Sequence, residues 1–186
     1  IFVPLTGFDS DYPALEAAIS VAKNFGAQIQ CLHVRVDPES ALALMTREAT
    51  WKIERQEGER SQKARTTFEE ARKRHDLAAD DVGAVRKGVA MKWHEVEGFP
   101  LPEAVYHGRM NDLVAVARDA RLLPERIAEI VMRTGRPVLI APAKPSPSIG
   151  ETIAIAWKDT PESARAVTAA MHFLLKAKKV FLLTVQ

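Results

Sequence analysis

Residues 1–36 alternate between short apolar runs and one segment of helical periodicity. The opening run IFVPL ends at the turn residues TGFDSD, which predicts a strand followed by a helix start. From Pro13 onward apolar side chains recur at helical spacing, and Gly26 follows as a stop signal. The segment AQIQCLHVRV then alternates as a strand does. A strand, a helix and a strand in about 35 residues make a βαβ unit, which requires parallel strands and a right-handed crossover.

The same alternation continues to residue 142. Residues 39–75 place opposite charges three and four positions apart, which predicts a long, largely exposed helix. GAVRKGVA predicts a short strand, LPEAVYHGRMN a helix, and DLVAVA a strand apolar enough to be covered on both faces. LPERIAEIVMRTG predicts a helix with Pro124 in its first turn and Gly135 just past its end, before a last strand, RPVLIA.

A proline-rich linker, PAKPSPSIG, precedes a second copy of the opening pattern. Superposing Ile153 on Ile1 and Val185 on Val34 aligns strand, helix and strand, which indicates an internal repeat. One βαβ unit leaves a parallel sheet unfinished, so we do not expect this copy to form an independent domain. The predicted organisation is a first module, a linker and the beginning of a second module, at residues 1–142, 143–150 and 151–186.

Composition excludes several classes of protein. The 26 basic side chains nearly balance the 24 acidic ones, and a net charge of +2 gives no electrostatic case for binding nucleic acid or a membrane surface. No apolar stretch approaches the roughly 20 residues of a membrane-spanning helix. The single cysteine, Cys31, excludes an internal disulfide and lies in an apolar run, which predicts a buried strand residue. We therefore expect a cytoplasmic protein.

The segments IFVPLTGFDSDYPALEAAISVAKNFGAQIQCLHV, EGFPLPEAVYHGRMNDLVAVAR, RTGRPVLIAP and IAIAWKDTPESARAV carry a resemblance to a known family. Together they resemble the universal stress protein family in its tandem two-module form. The resemblance implies an α/β fold of the adenine nucleotide α-hydrolase-like class, with an open five-stranded parallel sheet in the order 3-2-1-4-5 and helices on both faces. Such sheets bind ligands beyond the carboxyl ends of the strands, where the strand order reverses.

The phosphate-binding turn of that family is degraded here. Nucleotide-binding members carry an aspartate after the first strand and a G-x2-G-x9-G-[S/T] turn after the fourth, because glycines let backbone N–H groups approach a phosphate. On this pattern Thr6 stands at the aspartate position and Ala117 at the first glycine. The last glycine and the hydroxyl residue fall on Pro124 and Glu125, and the intervening stretch is too short. Proline removes a donor, and glutamate places a carboxylate where phosphate would lie.

Seven residues nevertheless fall near the expected crevice of either module: Thr6, Val34, Ala117, Arg118, Arg121, Asp159 and Thr160. Two guanidinium groups after the fourth strand could bind an anion directly, and a solvated turn is the favoured alternative. For Asp159 and Thr160 the favoured interpretation is a helix cap, and the alternative is half of a nucleotide site.

The sequence predicts neither a metal site nor a catalytic residue. His33 and His107 lack partners at metal-ligand spacing, and no serine, histidine and aspartate form a recognisable nucleophile motif. TGFDS matches only part of the S-G-G-x-D-S pyrophosphate loop of a related enzyme group, so a turn with a helix cap is favoured.

Two hypotheses of function follow. The favoured one is a universal-stress-type regulatory or binding protein that is not an enzyme, whose first module acts mainly as a scaffold. It would form a pseudo-dimer between modules and a homodimer, with the edge strand RPVLIA as the natural contact. The alternative is a protein that binds ATP with Mg²⁺ and hydrolyses it slowly, at a site in the second module or at the Arg118–Arg121 turn.

Overall fold

The chain divides into two compact units, Ile1–Pro145 and Ser146–Gln186. The computed structural model describes residues 1–36, 47–79, 88–118, 124–144 and 149–184.

Within its described residues, the first unit is a parallel sheet of six strands flanked by four helices. In chain order its elements are β1 (Phe2–Leu5), α1 (Asp11–Phe25), β2 (Ile29–Arg35), α2 (Arg47–Arg74), β3 (Ala78–Ala79), β4 (Ala90–Glu97), α3 (Pro100–Arg109), β5 (Val114–Ala117), α4 (Pro124–Thr134) and β6 (Val138–Ala141). The strand order is β3-β4-β2-β1-β5-β6. The five longer strands, counted among themselves, have the predicted order 3-2-1-4-5, and the two-residue β3 extends the sheet beside β4.

One strand lies further along the chain than expected. GAVRKGVA predicted a strand at residues 83–90, which fall mostly outside the described residues, whereas the structure places β4 at Ala90–Glu97. The strand is buried at its start and only partly buried beyond Met91. A partly buried strand tolerates polar side chains. These weaken the apolar alternation that predicts a strand, so β4 was not recognised from the sequence.

The two faces of the sheet carry different side chains of the same strands. Phe2, Leu32 and Val116 belong to a buried cluster that includes Ala104 of α3 and Ile130 of α4. On the other face α1 buries most of its length. There the ring of Trp93 stacks on buried His33 and packs against Phe68 of α2, 5.4 Å between centroids. Full burial of a large apolar side chain stabilises a fold by about 1.5–3 kcal/mol.

The second unit is a single βαβ segment of β7 (Thr152–Trp157), α5 (Pro161–Lys176) and β8 (Lys179–Thr184), with parallel strands. Thr160 is the N-cap of α5, and its hydroxyl accepts a hydrogen bond from the Ser163 N–H at 3.3 Å. No residue of α5 is buried, and β8 is exposed along its length, including Phe181, Leu182 and Leu183. Strands this apolar are typical of sheets covered on both faces.

Candidate functional site

A cavity of about 380 Å³ lies at the carboxyl ends of the central strands of the first unit. The strand β1 pairs with β2 on one side and with β5 on the other, so the strand order reverses between β1 and β5. In open parallel sheets this reversal opens a crevice between the outgoing connections. The cavity occupies that crevice, because residues that follow or end β1, β2 and β5 line it.

The cavity walls are largely apolar. Leu5, Leu32 and Val116 line it from the strands, and Leu101 and Ile130 line it from α3 and α4. Most of these side chains also belong to the buried core, so packing holds the walls in place. A cavity of this size and lining suits a small organic ligand, for which a few polar groups set the orientation.

Asp11 is the buried carboxylate of the site and closes the turn between β1 and α1. Its oxygens accept hydrogen bonds from the backbone N–H of Thr6 at 2.9 and 3.0 Å, from the Thr6 hydroxyl at 2.8 Å and from the Gly7 N–H at 2.7 Å. The side chain lines the cavity and is 2% exposed. Burial raises the pKa of Asp11, and the hydrogen bonds from Thr6 and Gly7 oppose that shift.

The predicted cap of α1 differs from the observed one. Ser10 occupies the N-cap position but makes no side-chain cap hydrogen bond, because its backbone is already helical. The carboxylate of Asp11 instead reaches back to the N–H groups that precede the helix. The preceding Asp9 points away and forms an ion pair with Lys63, 2.6 Å between the charged atoms.

Arg60 brings the long helix α2 to the edge of the cavity. Its Nε donates to the carbonyl oxygen of Thr6 at 3.1 Å, and its Nη1 donates to the carboxylate of Glu57. The guanidinium carbon lies 4.8 Å from the centroid of the Phe8 ring, a cation–π distance. Glu57 is 9% exposed and also accepts from the Val36 N–H, so it ties α2 to the end of β2.

A second arginine lines the cavity from α4. Arg126 lies in the first turn of that helix and is exposed. Within the described parts of the chain it forms no hydrogen bond or ion pair. Among those residues, therefore, nothing occupies the guanidinium donors of this cavity-lining side chain.

The seven predicted site residues separate into three groups. Thr6, Val34 and Ala117 line the cavity. Arg118 is exposed and is not among the lining residues, and its backbone N–H donates to the Ala141 carbonyl at 2.8 Å. Arg121 lies outside the described residues. In the second unit Thr160 caps α5, and Asp159 is exposed beside it.

Sequence reasoning missed Asp11, Arg60 and Arg126. Asp11 carried a signal, since an acidic residue in the first turn of a helix is favoured by the helix dipole, but Asp9 and Ser10 were equally plausible residues for the start of the helix. Arg60 lies in a helix with many charges, and Arg126 in a helix of ordinary amphipathic pattern. Only the docking of α2 and α4 distinguishes these arginines from the others.

The histidines of the first unit serve packing and hydrogen bonding. His33 is fully buried, and its Nδ1 lies 2.9 Å from the Leu5 carbonyl oxygen, so that nitrogen carries the proton. His107 stacks on Phe2 and lies 3.5 Å from the amide nitrogen of Gln30. Across the described residues, no three side chains of histidine, cysteine, aspartate or glutamate are grouped to hold a metal ion. Cys31 is buried in β2, as the sequence predicted.

The helices of the described segments include none with the length and apolar character to cross a membrane.

A family model described as the universal stress protein family matches residues 1–105. Among solved structures, universal stress protein UspA from Lactobacillus plantarum is similar with a TM-score of 0.55 and 13% identity, over 75% of this chain and 95% of that one. The hypothetical protein MJ0577 is similar with a TM-score of 0.52 and 19% identity, over 78% of this chain and 96% of that one. These likenesses show the fold. No curated protein matches the chain.

Proposed function

Because the chain belongs to the universal stress protein family, we propose that it is a regulatory binding protein rather than an enzyme, with a first unit that acts mainly as a scaffold. In this proposal the unit keeps the ligand cavity of the fold and lacks the turn that would hold a triphosphate. The family implies a role in the response to stress, whereas the binding chemistry is argued from the cavity itself.

The observation that carries the proposal is the connection between β5 and α4. Only the six residues from Arg118 to Leu123 separate the two elements, and none of them is glycine. The helix opens with Pro124, which has no N–H to donate, and Glu125, whose carboxylate would repel a phosphate. The connection therefore lacks the glycines that let a turn direct its backbone N–H groups at a triphosphate.

The scaffold role is supported by two apolar surfaces. The strand β6 is at the edge of the sheet, and its Ile140 side chain is 45% exposed, so β6 can pair with the same strand of a second copy. In the second unit, the order β7-α5-β8 repeats β1-α1-β2, which supports a tandem arrangement in which this unit begins a second module. The exposed apolar strand β8 is consistent with a sheet that further strands would complete.

A second candidate is ATP binding with slow hydrolysis. It is favoured by one observation, the presence of two arginines along the cavity, because guanidinium groups bind phosphates through paired hydrogen bonds. Mg²⁺ bound to the ATP would then shield the remaining phosphate charge.

Calorimetry with the whole protein distinguishes the two candidates. ATP is titrated with and without Mg²⁺, and the proposal expects no binding tighter than about 1 mM, which corresponds to roughly 4 kcal/mol. Binding of Mg²⁺-ATP in the low micromolar range, together with release of phosphate, would establish the second candidate instead. Adenosine serves as the control, because it carries the base and sugar without the phosphates.

A further inference from the structure

The guanidinium group of Arg60 is held in place with one donor group to spare. Its Nε and Nη1 are occupied by Thr6 and Glu57, and the ring of Phe8 covers one face. Among the described residues, no partner accepts a hydrogen bond from its Nη2. The side chain of Arg60 is therefore already ordered without a ligand, so ligand binding costs less conformational entropy.

The position of Arg126 is not explained by the stability of its own helix. A positive side chain in the first turn of a helix is disfavoured by the helix dipole, and α4 offers it no acidic partner among the described residues. The other arginine of α4, Arg133, follows the ordinary rule, since it lies in the last turn and forms an i,i+4 ion pair with Glu129. An anion in the cavity would give Arg126 the negatively charged partner that α4 does not offer.

The charge of the cavity lining sets a limit on its ligand. Among the described lining residues, Arg60 is already paired with the carboxylate of Glu57, so Arg126 is the positive side chain there without an ion-pair partner. The oxygens of Asp11 are already occupied by four hydrogen bonds from Thr6 and Gly7. The remaining described lining is largely apolar, so a second anionic group on a ligand would find no charged partner there.

We propose that this cavity binds a small molecule with an apolar or aromatic body and a single anionic group, which the guanidinium groups of Arg126 and Arg60 bind in place of a phosphate turn. The inference rests on the proposed binding function and adds the chemical class of the ligand. A neutral molecule leaves Arg126 without an ionic partner, and a polyanion brings more negative charge than Arg126 and the remaining donor of Arg60 can pair.

A series of probes on one aromatic body tests this class with the whole protein. The probes are 2-naphthylmethanol, 2-naphthoate and naphthalene-2,6-dicarboxylate, with zero, one and two negative charges, each titrated by calorimetry beside Mg²⁺-ATP. We expect 2-naphthoate to bind more tightly than the alcohol and the dicarboxylate. Arg126→Gln should weaken binding of 2-naphthoate by about tenfold or more and leave binding of the alcohol unchanged, since a hydrogen bond to a charged group is lost.

Arg133→Gln is the matched control, because it removes an arginine from the same helix outside the cavity. Unchanged melting temperatures of both variants confirm that folding is intact. Equal binding of alcohol and naphthoate, equal effects of the two substitutions, or no binding of any probe would overturn the inference and leave the scaffold proposal standing. Mg²⁺-ATP binding more tightly than 2-naphthoate would overturn the proposed function as well.

Discussion

Asp11 carries the turn between β1 and α1, since its carboxylate accepts four hydrogen bonds from Thr6 and Gly7. Asp11→Asn keeps the size of the side chain and replaces one acceptor oxygen by an amide donor, which would face N–H groups. We expect a loss of about 1–3 kcal/mol in the free energy of unfolding, because buried donors are left without an acceptor. Urea unfolding followed by circular dichroism measures it. Asp9→Asn, a change at the exposed neighbour, should cost much less, and equal losses would contradict the assigned role.

His94 makes the stability of the first unit depend on pH. Its pKa is lowered by burial, and further by Lys92 and by His107, whose ring centroid is 6.3 Å away. The folded state then binds the proton less tightly than the unfolded chain, so stability is lost as the pH falls below about 6.5 and through the lower folded pKa. His94→Gln should show a smaller decrease in its urea midpoint between pH 7.5 and pH 5. His172→Gln, at an exposed position in the second unit, should behave as the wild type. If the urea midpoints of the wild type and of His94→Gln fall equally with pH, His94 is not the cause of the pH dependence.

The contact of helix α2 with the β1–α1 turn depends on a glycine. Gly7 has a φ of +76°, and a Cβ placed on it would lie 2.4 Å from the carbonyl oxygen of Arg60. Gly7→Ala must therefore either strain the turn or displace the helix that carries Arg60 and Glu57. We expect a loss of about 1–3 kcal/mol in unfolding free energy, from the strained backbone and the overpacked contact.

Gly58→Ala is the control for that substitution on the helix itself. Gly58 lies inside α2, and outside its chain neighbours and its own helix backbone no atom of the described residues lies within 4 Å of an added Cβ. Alanine there should stabilise the protein by about 0.5–1 kcal/mol, because it loses less backbone entropy in a helix than glycine does. Chemical unfolding of both variants measures whether each substitution lowers or raises the free energy of unfolding. A neutral Gly7→Ala would show that α2 does not press on the turn.

At the scale of the whole molecule, the edge strand β6 is the proposed contact between copies. Its Ile140 is exposed at the open edge of the sheet. Ile140→Lys should convert a dimer to a monomer in analytical ultracentrifugation, because a charge would be buried at the centre of the pairing strands. Val180→Lys in β8 of the second unit is the matched change, since Val180 is 44% exposed. If only Val180→Lys dissociates the dimer, the interface lies in the second unit. If the wild-type protein is already a monomer, the proposed contact between copies is wrong.

The order of elements and the class of the sheet were determined by the sequence alone. Period-two and helical patterns, with Gly26 and Gly135 at helix ends, are local signals, and a βαβ crossover has one favoured hand. The absence of glycine between β5 and α4 is likewise visible without coordinates. One strand was predicted too early in the chain, because β4 is partly exposed and its polar side chains weaken the apolar alternation.

Only the tertiary structure decided which side chains form the site. Thr6 and Arg60 are 54 positions apart and meet because α2 packs across the turn that holds Asp11. No spacing in the sequence singles out Arg60 or Arg126 among the basic side chains, since each lies on a helix with an ordinary pattern of charged and apolar residues. Arg118, for which the sequence favoured a solvated turn over anion binding, is not among the cavity-lining residues, whereas Arg126 is. Local periodicity determines elements, whereas a cavity arises from the packing of elements distant in the chain.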